Sequence, residues 1–481
     1  MALERLLPFL PYLAGICILG LSLVTAAHAV LYKRDPRASV SWAGVILLVP
    51  LFGAIFYVTF GINRVHRRAA SLRRRRKQLE DLEPYSICSQ GELCRTLSPE
   101  LAHLAPVGRV AETITRRALL MGNRVTPLVN GEEAYPAMLA SIDAATRSVS
   151  LLAYIFERDE VGRKFVEALE RAKGRGVEIR VLIDDVGSDN EVEGALAVAG
   201  VRVSRFHPVH RPWRSRYLNL RNHRKIMVVD GRTGFTGGMN IRRTHLVDTK
   251  QPHREQDIHF RLEGPVIKHL QEAFVDDWAF STDEVLKGEA WFPRVEGCGE
   301  VNARGIASDP GESQDVLRWV IVAALGCARS RVRIVTPYFL PDAALIGALN
   351  VAALRGVEVD ILLPAVNDNK VVQWASTAML WQVLTAGCRV WRNPAPFEHT
   401  KLIVVDGAWT LLGSANLDPR SLRLNFEFNV ECYDRELAGA LETRIAEKIG
   451  RSAAVTLKQV DGRRLGVKLR DGLARLFAPY L

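Results

Sequence analysis

The stretch RNHRKIMVVDGRTGFTGGMN, residues 221–240, brackets a short apolar run with a histidine, a lysine and an aspartate. A second stretch, HTKLIVVDGAWTLLGSAN, residues 399–416, repeats the arrangement. Five matched pairs of positions are each 176 residues apart: His223 and His399, Lys225 and Lys401, Asp230 and Asp406, Gly237 and Gly413, Asn240 and Asn416. Chance does not keep five spacings together, so the chain contains two related halves.

The apolar runs IMVV and LIVV predict buried strands that follow the histidine and lysine of each copy. Residues two apart in a strand share a face, so His223 and Lys225 are expected to point together into a site. The equivalent pair of the second copy is expected to do the same. Asp230 and Asp406 follow at the strand ends, before a glycine turn. We expect these aspartates to hold loop amides or the partner motif rather than to transfer protons.

Strands and helices alternate in the same order in both halves. In the first half, an amphipathic helix at 132–145 precedes the strand VSLLAYIF, a helix that ends at glycine, and the strand VEIRVLIDD. The second half repeats this order with DVLRWVIVAALGCA, VRIVTPYF, LIGALNVAALRG and VEVDILLPA. Alternation of this kind predicts an α/β sandwich in each half.

Two apolar runs open the chain, at about 6–31 and 40–62, with the polar loop YKRDPR between them. Each is long enough to cross about 30 Å of hydrocarbon as a helix. A cleaved signal peptide is the alternative for the first run, because Ala27-His28-Ala29 resembles a cleavage site, but the apolar region is longer than such peptides have. We expect a two-helix membrane hairpin; whether both runs span the membrane or only dip into it stays open.

The segment at 63–77 carries eight of the eleven net positive charges and no acidic residue. This bias predicts that the chain after the hairpin lies in the cytoplasm, with the segment touching anionic headgroups. The modest charge that remains, about +3, does not predict a nucleic-acid-binding surface. The seven cysteines have no zinc-site spacing and indicate a reducing compartment rather than a disulfide framework.

These patterns divide the chain into six predicted segments. They are two transmembrane helices within 1–65, a basic juxtamembrane linker at 66–115, a first half at 116–285, a connection at 286–312, a second half at 313–450 and an amphipathic tail at 451–481. The tail and the basic, aromatic loop at 207–221 suit a membrane interface. Packing on the second half is the alternative for the tail, and a solvated loop is the alternative for 207–221.

Two imidazoles with a pKa near 6.5 can divide the work around one reacting phosphorus. One attacks as the nucleophile, and the other protonates the leaving oxygen and then deprotonates the incoming alcohol or water. Lysines, asparagines and small turns would hold the phosphate oxygens. This chemistry needs neither metal nor cofactor. A metal site is disfavoured because the motifs contain no HxxxH or HEXXH pattern and place a lysine beside each histidine.

The doubled motifs resemble the HKD signatures of the phospholipase D superfamily. The hairpin with KRDPR, the order of the motifs and the approach LNLRNHRKI are similar to those of bacterial cardiolipin synthases, and the resemblance covers nearly the whole chain. It implies two phospholipase D-like α/β sandwich halves with pseudo-twofold symmetry and one active site at their interface. It further implies a multi-pass protein of the bacterial inner membrane with its catalytic part on the cytoplasmic side.

The resemblance also implies a role for each motif residue. His223 would be the nucleophile that forms a phosphatidyl-histidine and His399 the general acid and then base, although symmetry leaves the reverse order open. Acids that orient the imidazoles are expected at Asp257 and Glu427, for which ordinary strand-edge carboxylates are the alternative. The remaining implied site residues are the catalytic set Lys225, Asp230, Lys401 and Asp406, and the phosphate-binding set Asn240, Asn416, Gly238 and Ser414.

The implied reaction takes two phosphatidylglycerols to cardiolipin and glycerol, without nucleic acid as a partner. A hydrolytic phospholipase D and a phosphodiesterase acting on nucleic acid are the alternatives, because the same residues serve both. A catalytically inactive membrane scaffold is disfavoured by the intact motifs. The sequence leaves open the acyl-chain and headgroup preference, the balance of transfer and hydrolysis, and the oligomeric state.

Overall fold

The computed structural model describes residues 10–33, 36–61, 87–206, 220–250, 252–310 and 315–478. These residues fall into two compact units, one formed by the described residues up to 61 and the other by those from 87 onward. The basic segment at 63–77 and nearly all of the loop at 207–221 lie outside the described residues.

The N-terminal unit is helical. It contains α1 (Leu10–Tyr32), α2 (Pro36–Leu48), α3 (Phe52–Phe56) and a π-helical turn at Tyr57–Gly61. Ala29, Ile46 and Tyr57 form its small core. Among the described residues, one helical segment, Pro11–Tyr32, is long and apolar enough to cross a membrane.

The second apolar run differs from the single helix expected over 40–62. It is interrupted between α2 and α3, where Pro50 lies in a turn. Proline has no amide hydrogen, and its ring clashes with the carbonyl of the preceding turn. The helix therefore ends there, and the thirteen residues of α2 are fewer than a membrane-spanning helix requires.

The second unit is built on one long sheet and a separate two-stranded sheet. Its strands are β1 (Leu120–Val129), β2 (Ser148–Ala153), β3 (Glu178–Asp184), β4 (Arg202–Phe206), β5 (Arg221–Asn222), β6 (Ile226–Val229), β7 (Thr233–Gly237), β8 (Glu255–Gln256), β9 (Ile258–Glu263), β10 (Val301–Ser308), β11 (Arg331–Val335), β12 (Glu358–Pro364), β13 (Arg389–Asn393), β14 (Phe397–Glu398), β15 (Leu402–Val405), β16 (Trp409–Gly413), β17 (Asn425–Tyr433) and β18 (Ala453–Val455).

The helices of this unit cover the sheet. They are α4 (Gln90–Thr96), α5 (Ala105–Thr115), α6 (Asn130–Asp143), α7 (Glu160–Gly174), α8 (Asn190–Val198), α9 (Ile267–Thr282), α10 (Val316–Cys327), α11 (Ala343–Leu354), α12 (Lys370–Thr377), α13 (Trp381–Leu384), α14 (Pro419–Arg423), α15 (Arg435–Gly450), α16 (Leu457–Asp461) and α17 (Leu465–Leu476).

The sheet order shows the internal duplication. One half runs β1-β9-β7-β6-β2-β3-β4 and the other runs β10-β17-β16-β15-β11-β12-β13-β18. The halves meet where β1 pairs antiparallel with β10. Each half thus repeats the same order outward from a central antiparallel pair, which confirms the α/β fold of two phospholipase D-like halves predicted from the sequence.

Two strands at this centre were not recognised from the sequence. Residues 286–312 were expected to be a connection, yet Val301–Ser308 forms β10, which pairs with β17 along its whole length. β1 pairs with β10 at its start and antiparallel with β9 from residue 124 to residue 129. Both strands lie in the interior of the continuous sheet, so they join the halves rigidly rather than as a loose linker.

Residues 87–115, expected to be the end of a linker, instead form α4 and α5. Ser89 caps α4 with a reciprocal pair of hydrogen bonds to Glu92. Leu93, Leu104 and Val107 are buried in the same core as the helices and strands of the second half. The burial of this apolar face accounts for the ordered structure of a stretch whose upstream neighbour is strongly basic.

Candidate active site

Each motif histidine is held by a strand of the opposite half. β5 pairs in parallel with the start of β17, and the His223 amide donates to the carbonyl of Phe426 over 2.9 Å. β14 pairs in parallel with β8, and the His399 amide donates to the carbonyl of Gln256, also over 2.9 Å. The two motifs therefore enter the interface between the halves by equivalent routes.

The orienting acids are exchanged between the halves. Nδ1 of His223 lies 3.1 Å from Oε2 of Glu427, and Nδ1 of His399 lies 2.8 Å from Oδ2 of Asp257. All four side chains are buried. An imidazole that donates from Nδ1 to a carboxylate keeps the lone pair of Nε2 free, which is the form that a nucleophile or general base requires.

The motif lysines lie beside their histidines, as the spacing predicts. Nζ of Lys225 donates to the carbonyl of His223 over 2.7 Å, and Nζ of Lys401 donates to that of His399 over 2.5 Å. Lys225 also lies 5.0 Å from the ring centre of Tyr154. The two lysine amines thus lie beside both imidazoles, where a phosphodiester needs hydrogen-bond donors and positive charge.

The motif aspartates hold backbone amides at the edge of each half. Asp230 accepts hydrogen bonds from the amides of Thr146, Arg147 and Ser148, and from the hydroxyl of Thr146. These contacts fit the structural interpretation of this residue.

Asp406 does the same in the second half. It accepts from the amides of Arg329, Ser330 and Arg331 and from the hydroxyl of Ser330. It has one partner more than Asp230, because Nε2 of His103 lies 2.6 Å from Oδ2. The segment at 87–115, which precedes the first half, therefore contacts the second motif through His103.

Ser414 and Gly238, expected among the phosphate-binding residues, stand behind the histidines. The hydroxyl of Ser414 donates to Oε2 of Glu427 over 2.5 Å. At Gly238, a Cβ would meet Oδ2 of Asp257 at 2.4 Å. The serine therefore hydrogen-bonds the longer acid, Glu427, while the glycine leaves room for the shorter acid, Asp257. This accounts for the difference between the two motifs at this position.

The motif asparagines are buried beside the turns. Oδ1 of Asn240 accepts weakly from the amide of Ile155 over 3.3 Å. The side chain of Asn416 hydrogen-bonds to Asp418, and its Oδ1 is buried without a hydrogen-bond partner among the described residues.

Burial sets the protonation of the site. It lowers the pKa of His223 to about 4, with Glu427 opposing and Lys225 adding to the effect. Burial, followed by the charge of Lys401, lowers the pKa of His399 well below its ordinary range. Both imidazoles are therefore neutral at pH 7 in the unliganded site.

The lysines are also affected by burial, which lowers the pKa of Lys401 to about 8 against the opposing carboxylates of Asp257 and Glu427. The pKa of Lys225 is lowered well below its usual value for the same reason. The site carries an excess of buried donors, and a phosphate anion would stabilise their charged forms.

Several residues beside the histidines were not singled out from the sequence. Tyr154 meets the His223 ring edge-on at 4.8 Å between centroids, and the His245 ring lies 5.7 Å from that of His399. Glu255 accepts two hydrogen bonds from Arg242, at 2.6 and 2.7 Å. The one available signal was that Glu255 lies two residues before Asp257 and so shares its strand face.

Among the described residues, one set of side chains has the spacing of a metal site. Ligand atoms of His245, Glu255 and His399 all lie within 4.8 Å of one another. Both oxygens of Glu255 are already bound by Arg242, and Lys401 contributes further positive charge beside His399. A divalent cation would have to displace the guanidinium and face the ammonium, so this donor set fits an anion better than a metal.

Comparison with known proteins gives matches over both halves and over the N-terminal region. Residues 138–278 and 321–449 match the family described as cardiolipin synthase, phospholipase D-like domain, and residues 20–61 match the N-terminal region described for phospholipase D-nucleases. The chain is 31% identical to the cardiolipin synthase of Geobacillus kaustophilus over 94% of its length and 90% of the relative's. It is 32% identical to cardiolipin synthase A of Pseudomonas putida over 98% of both chains.

A solved structure shares the fold. The phosphatidylserine synthase of Haemophilus influenzae superimposes with a TM-score of 0.59 over 78% of this chain and all of that one, at 16% sequence identity. At that identity the likeness concerns the fold of the two halves. Membership of the family is shown by the sequence matches to the family model and to the two cardiolipin synthases.

Proposed function

Because this chain belongs to the cardiolipin synthase family of phospholipase D-like enzymes, we propose that it transfers the phosphatidyl group of one phosphatidylglycerol to another, giving cardiolipin and glycerol. The observation that carries the proposal is the exchanged pair of contacts, His223 with Glu427 and His399 with Asp257. It supplies two oriented imidazoles in one buried site, as a two-step transfer through a covalent intermediate requires.

In the first step, His223 acts as the nucleophile. Its Nδ1 proton is held by Glu427, and the lone pair of Nε2 attacks the phosphorus of the donor lipid. The bond between phosphorus and the headgroup glycerol oxygen breaks, and His399 in its protonated form gives that oxygen a proton. Glycerol leaves, and the phosphatidyl group remains on Nε2 of His223.

In the second step, His399 acts as a base. Now neutral, it takes the proton of the terminal hydroxyl of a second phosphatidylglycerol, whose oxygen attacks the phosphorus. The bond between phosphorus and Nε2 of His223 breaks, and cardiolipin forms. His399 is again protonated, so the cycle closes without metal or redox cofactor.

The buried positive charges support both steps. In the empty site, burial keeps the pKa of His399 low, whereas a bound phosphodiester adds negative charge beside it. That charge favours the imidazolium that the first step needs and the ammonium form of Lys401. We assign Lys225, Lys401, Asn240 and Asn416 to the phosphate oxygens. Ser414 and Gly238 act through the orienting acids.

The apolar N-terminus and the membership of the family support membrane association. We propose that α1 anchors the enzyme in the bacterial inner membrane, with the catalytic unit on the cytoplasmic side, where the basic segment at 63–77 would face anionic lipid. An anchor confines the enzyme to the plane that contains both substrates, which raises their effective concentration. The proposal includes a second crossing, for which α2 alone is too short, by the whole run at 36–61 through α2, α3 and the π-helical turn together.

A product assay tests the function. Purified enzyme is given phosphatidylglycerol in mixed micelles with a chelator, beside a His223→Ala control. We expect cardiolipin and free glycerol in equal amounts, and neither in the control. Phosphatidic acid in place of cardiolipin would make the enzyme a hydrolase, and turnover that requires an added metal would overturn the histidine mechanism.

A further inference from the structure

The C-terminal helix α17 presents an apolar face to solvent. Its large apolar side chains are exposed to unusual degrees: Leu465 by 83%, Leu469 by 63%, Leu473 by 52%, Leu476 by 68% and Phe477 just beyond its end by 61%. At 3.6 residues per turn, these side chains occupy one arc of about 120°. An exposed apolar stripe of this size marks an interaction surface rather than ordinary surface variation.

The opposite face of the same helix is firmly packed. Ala474 is buried against Val372 and Ala375 of α12. Asp471 is buried and forms ion pairs with Arg463 and Arg470. The helix is therefore fixed to the second half by one face and leaves the leucine face without a partner among the described residues.

Basic residues line both sides of the leucine face. Arg464, Lys468 and Arg475 are exposed along one side, and Arg470 is exposed on the other, where it stacks on Trp374 with 4.4 Å to the ring centroid. Asp471, the one acid within α17, is buried in its ion pairs. An apolar stripe flanked by exposed cations is complementary to an anionic lipid surface, where cations meet phosphates and leucines enter the acyl boundary.

An indirect series of interactions leads from the helix towards the active site. The core that buries Ala474 includes Tyr338 and Trp374 at its edge. The hydroxyl of Tyr338 donates to Asp368 over 2.8 Å, and the charge of Asp368 acts on Lys401. Packing at Tyr338 and its hydrogen bond to Asp368 thus lead from α17 towards the second motif, where the charge of Asp368 favours the ammonium form of Lys401.

From these observations we propose that α17 is an interfacial helix whose leucine face inserts into an anionic membrane, so that phosphatidylglycerol reaches the active site directly from the bilayer. The inference rests on the proposed function, because phosphatidylglycerol is both the substrate and an anionic lipid. It assigns the C-terminal helix a second, independent membrane contact. Burial of five large apolar side chains would make this contact substantial even beside the N-terminal anchor.

The first test locates the helix in full-length enzyme reconstituted into vesicles of phosphatidylcholine and phosphatidylglycerol. Exposed Cys17, Cys94 and Cys298 are replaced by serine, and an environment-sensitive fluorophore is attached at Leu473→Cys. Val198→Cys on α8, an exposed apolar position on the first half, is the matched control. We expect a blue shift and quenching by brominated acyl chains at position 473, and neither at position 198.

The second test separates lipid access from chemistry. In Leu469→Ser/Leu473→Ser enzyme, we expect the KM for phosphatidylglycerol in vesicles to rise about tenfold, with kcat on a short-chain, monomeric phosphatidylglycerol unchanged. The control Val198→Ser/Leu354→Ser removes two apolar side chains elsewhere that are more exposed than Leu469 and Leu473, and it should leave both values unchanged.

The outcomes are distinguishable. A water-exposed probe at position 473 with unaltered vesicle kinetics would overturn the interfacial helix while leaving the proposed function intact. A probe at position 473 that is shielded by a second copy or by another protein, and is therefore not quenched by brominated acyl chains in vesicles, would overturn the interfacial helix as well. Loss of turnover by the wild-type enzyme on monomeric lipid would instead overturn the proposed function.

Discussion

Nδ1 of His399 lies 2.8 Å from Oδ2 of Asp257, although the two residues belong to different halves and are 142 positions apart in the sequence. The reciprocal contact joins His223 to Glu427. Neither half therefore contains an oriented histidine of its own. The candidate site is therefore assembled where β5 and β14 pair with strands of the opposite half.

Asp257→Asn should separate orientation from stability. The amide keeps the size of the side chain but no longer favours the Nδ1–H tautomer of His399 or stabilises its imidazolium. We expect kcat to fall by about two to four orders of magnitude with a small change in KM, since comparable substitutions behind catalytic histidines have that effect. Steady-state kinetics on mixed micelles give both values.

The matched control for that substitution is Glu263→Gln, which changes a carboxylate at the far end of β9, the strand that begins directly after Asp257. It should leave kcat within about twofold. If Asp257→Asn retained wild-type kcat, the carboxylate would be an ordinary strand-edge group and the exchanged contacts would have no catalytic meaning.

The small residues behind the acids should respond unequally to substitution. Gly238→Ala places a methyl group 2.4 Å from Oδ2 of Asp257, so the carboxylate must move away from His399. Ser414→Ala removes one hydrogen bond to Glu427 but leaves space behind it. We expect about a 100-fold loss of kcat for the first and about a tenfold loss for the second. Equal losses, or a larger effect at Ser414, would contradict the supporting roles assigned to these two residues.

The sequence predicted the features that are periodic or duplicated. Constant offsets between the motifs identified two halves, and the alternation of apolar runs located β2, β3, β11 and β12. The histidine and lysine of each motif lie together just before β6 and β15, outside those strands, and each lysine bonds the carbonyl of its histidine. These features depend on local pattern, which a single sequence displays.

Features that depend on long-range pairing could not be read in advance. The residues around Asp257 and Glu427 do not indicate that each acid contacts the histidine of the other half. Those contacts depend on the pairing of β8 with β14 and of β5 with β17. β10 lies in a stretch flanked by glycine and proline, which resembles a connection until β1 and β17 are seen on either side. His245 became a neighbour of His399 only through the same interface.

The pH dependence should show a site tuned by burial. Because the pKa of His223 is lowered to about 4, its imidazole stays neutral as pH falls from 7 to 5, and kcat/KM should lack the inflection near 6.5 of an ordinary histidine. On the alkaline side, Lys401 loses its charge as pH rises through about 8, so kcat/KM should fall there.

Lys401→Arg identifies the alkaline group. The fork-shaped guanidinium fits the lysine position poorly, so the variant should have lower activity than the wild-type enzyme. Because a guanidinium stays charged throughout the range, that lower kcat/KM should not fall further as the pH rises through 8. If the alkaline inflection persisted in this variant, its origin would lie in a different group, such as Lys225.

Substitution of the motif aspartates should affect stability more than chemistry. Asp406→Ala leaves the amides of Arg329, Ser330 and Arg331 without their acceptor, and we expect a loss of about 3 kcal/mol in unfolding free energy. Thermal melts and limited proteolysis measure the effect. His103→Ala removes one of the contacts to Asp406, together with an exposed local bond to the carbonyl of Glu100, and should cost about 1 kcal/mol. An unchanged melting temperature together with abolished kcat would instead place Asp406 in the chemistry.

Trapping the covalent intermediate decides which histidine is the nucleophile. The two imidazoles have equivalent carboxylate contacts, but their surroundings differ: Tyr154 lies beside His223, whereas His245 and the Glu255–Arg242 pair lie beside His399. A second titratable ring next to His399 suits the group that must gain and lose a proton during turnover. We therefore assign attack to His223 and proton transfer to His399.

A phosphatidyl ester that carries a good leaving group in place of the headgroup glycerol makes the first step independent of a general acid. With this substrate, His399→Ala should accumulate phosphatidyl-enzyme on residue 223, because the base needed for the second step is missing. His223→Ala should form no adduct. Peptide mass spectrometry after rapid acid quench locates the modification. An adduct on His399 in the His223→Ala enzyme would reverse the assignment while leaving the two-step mechanism in place.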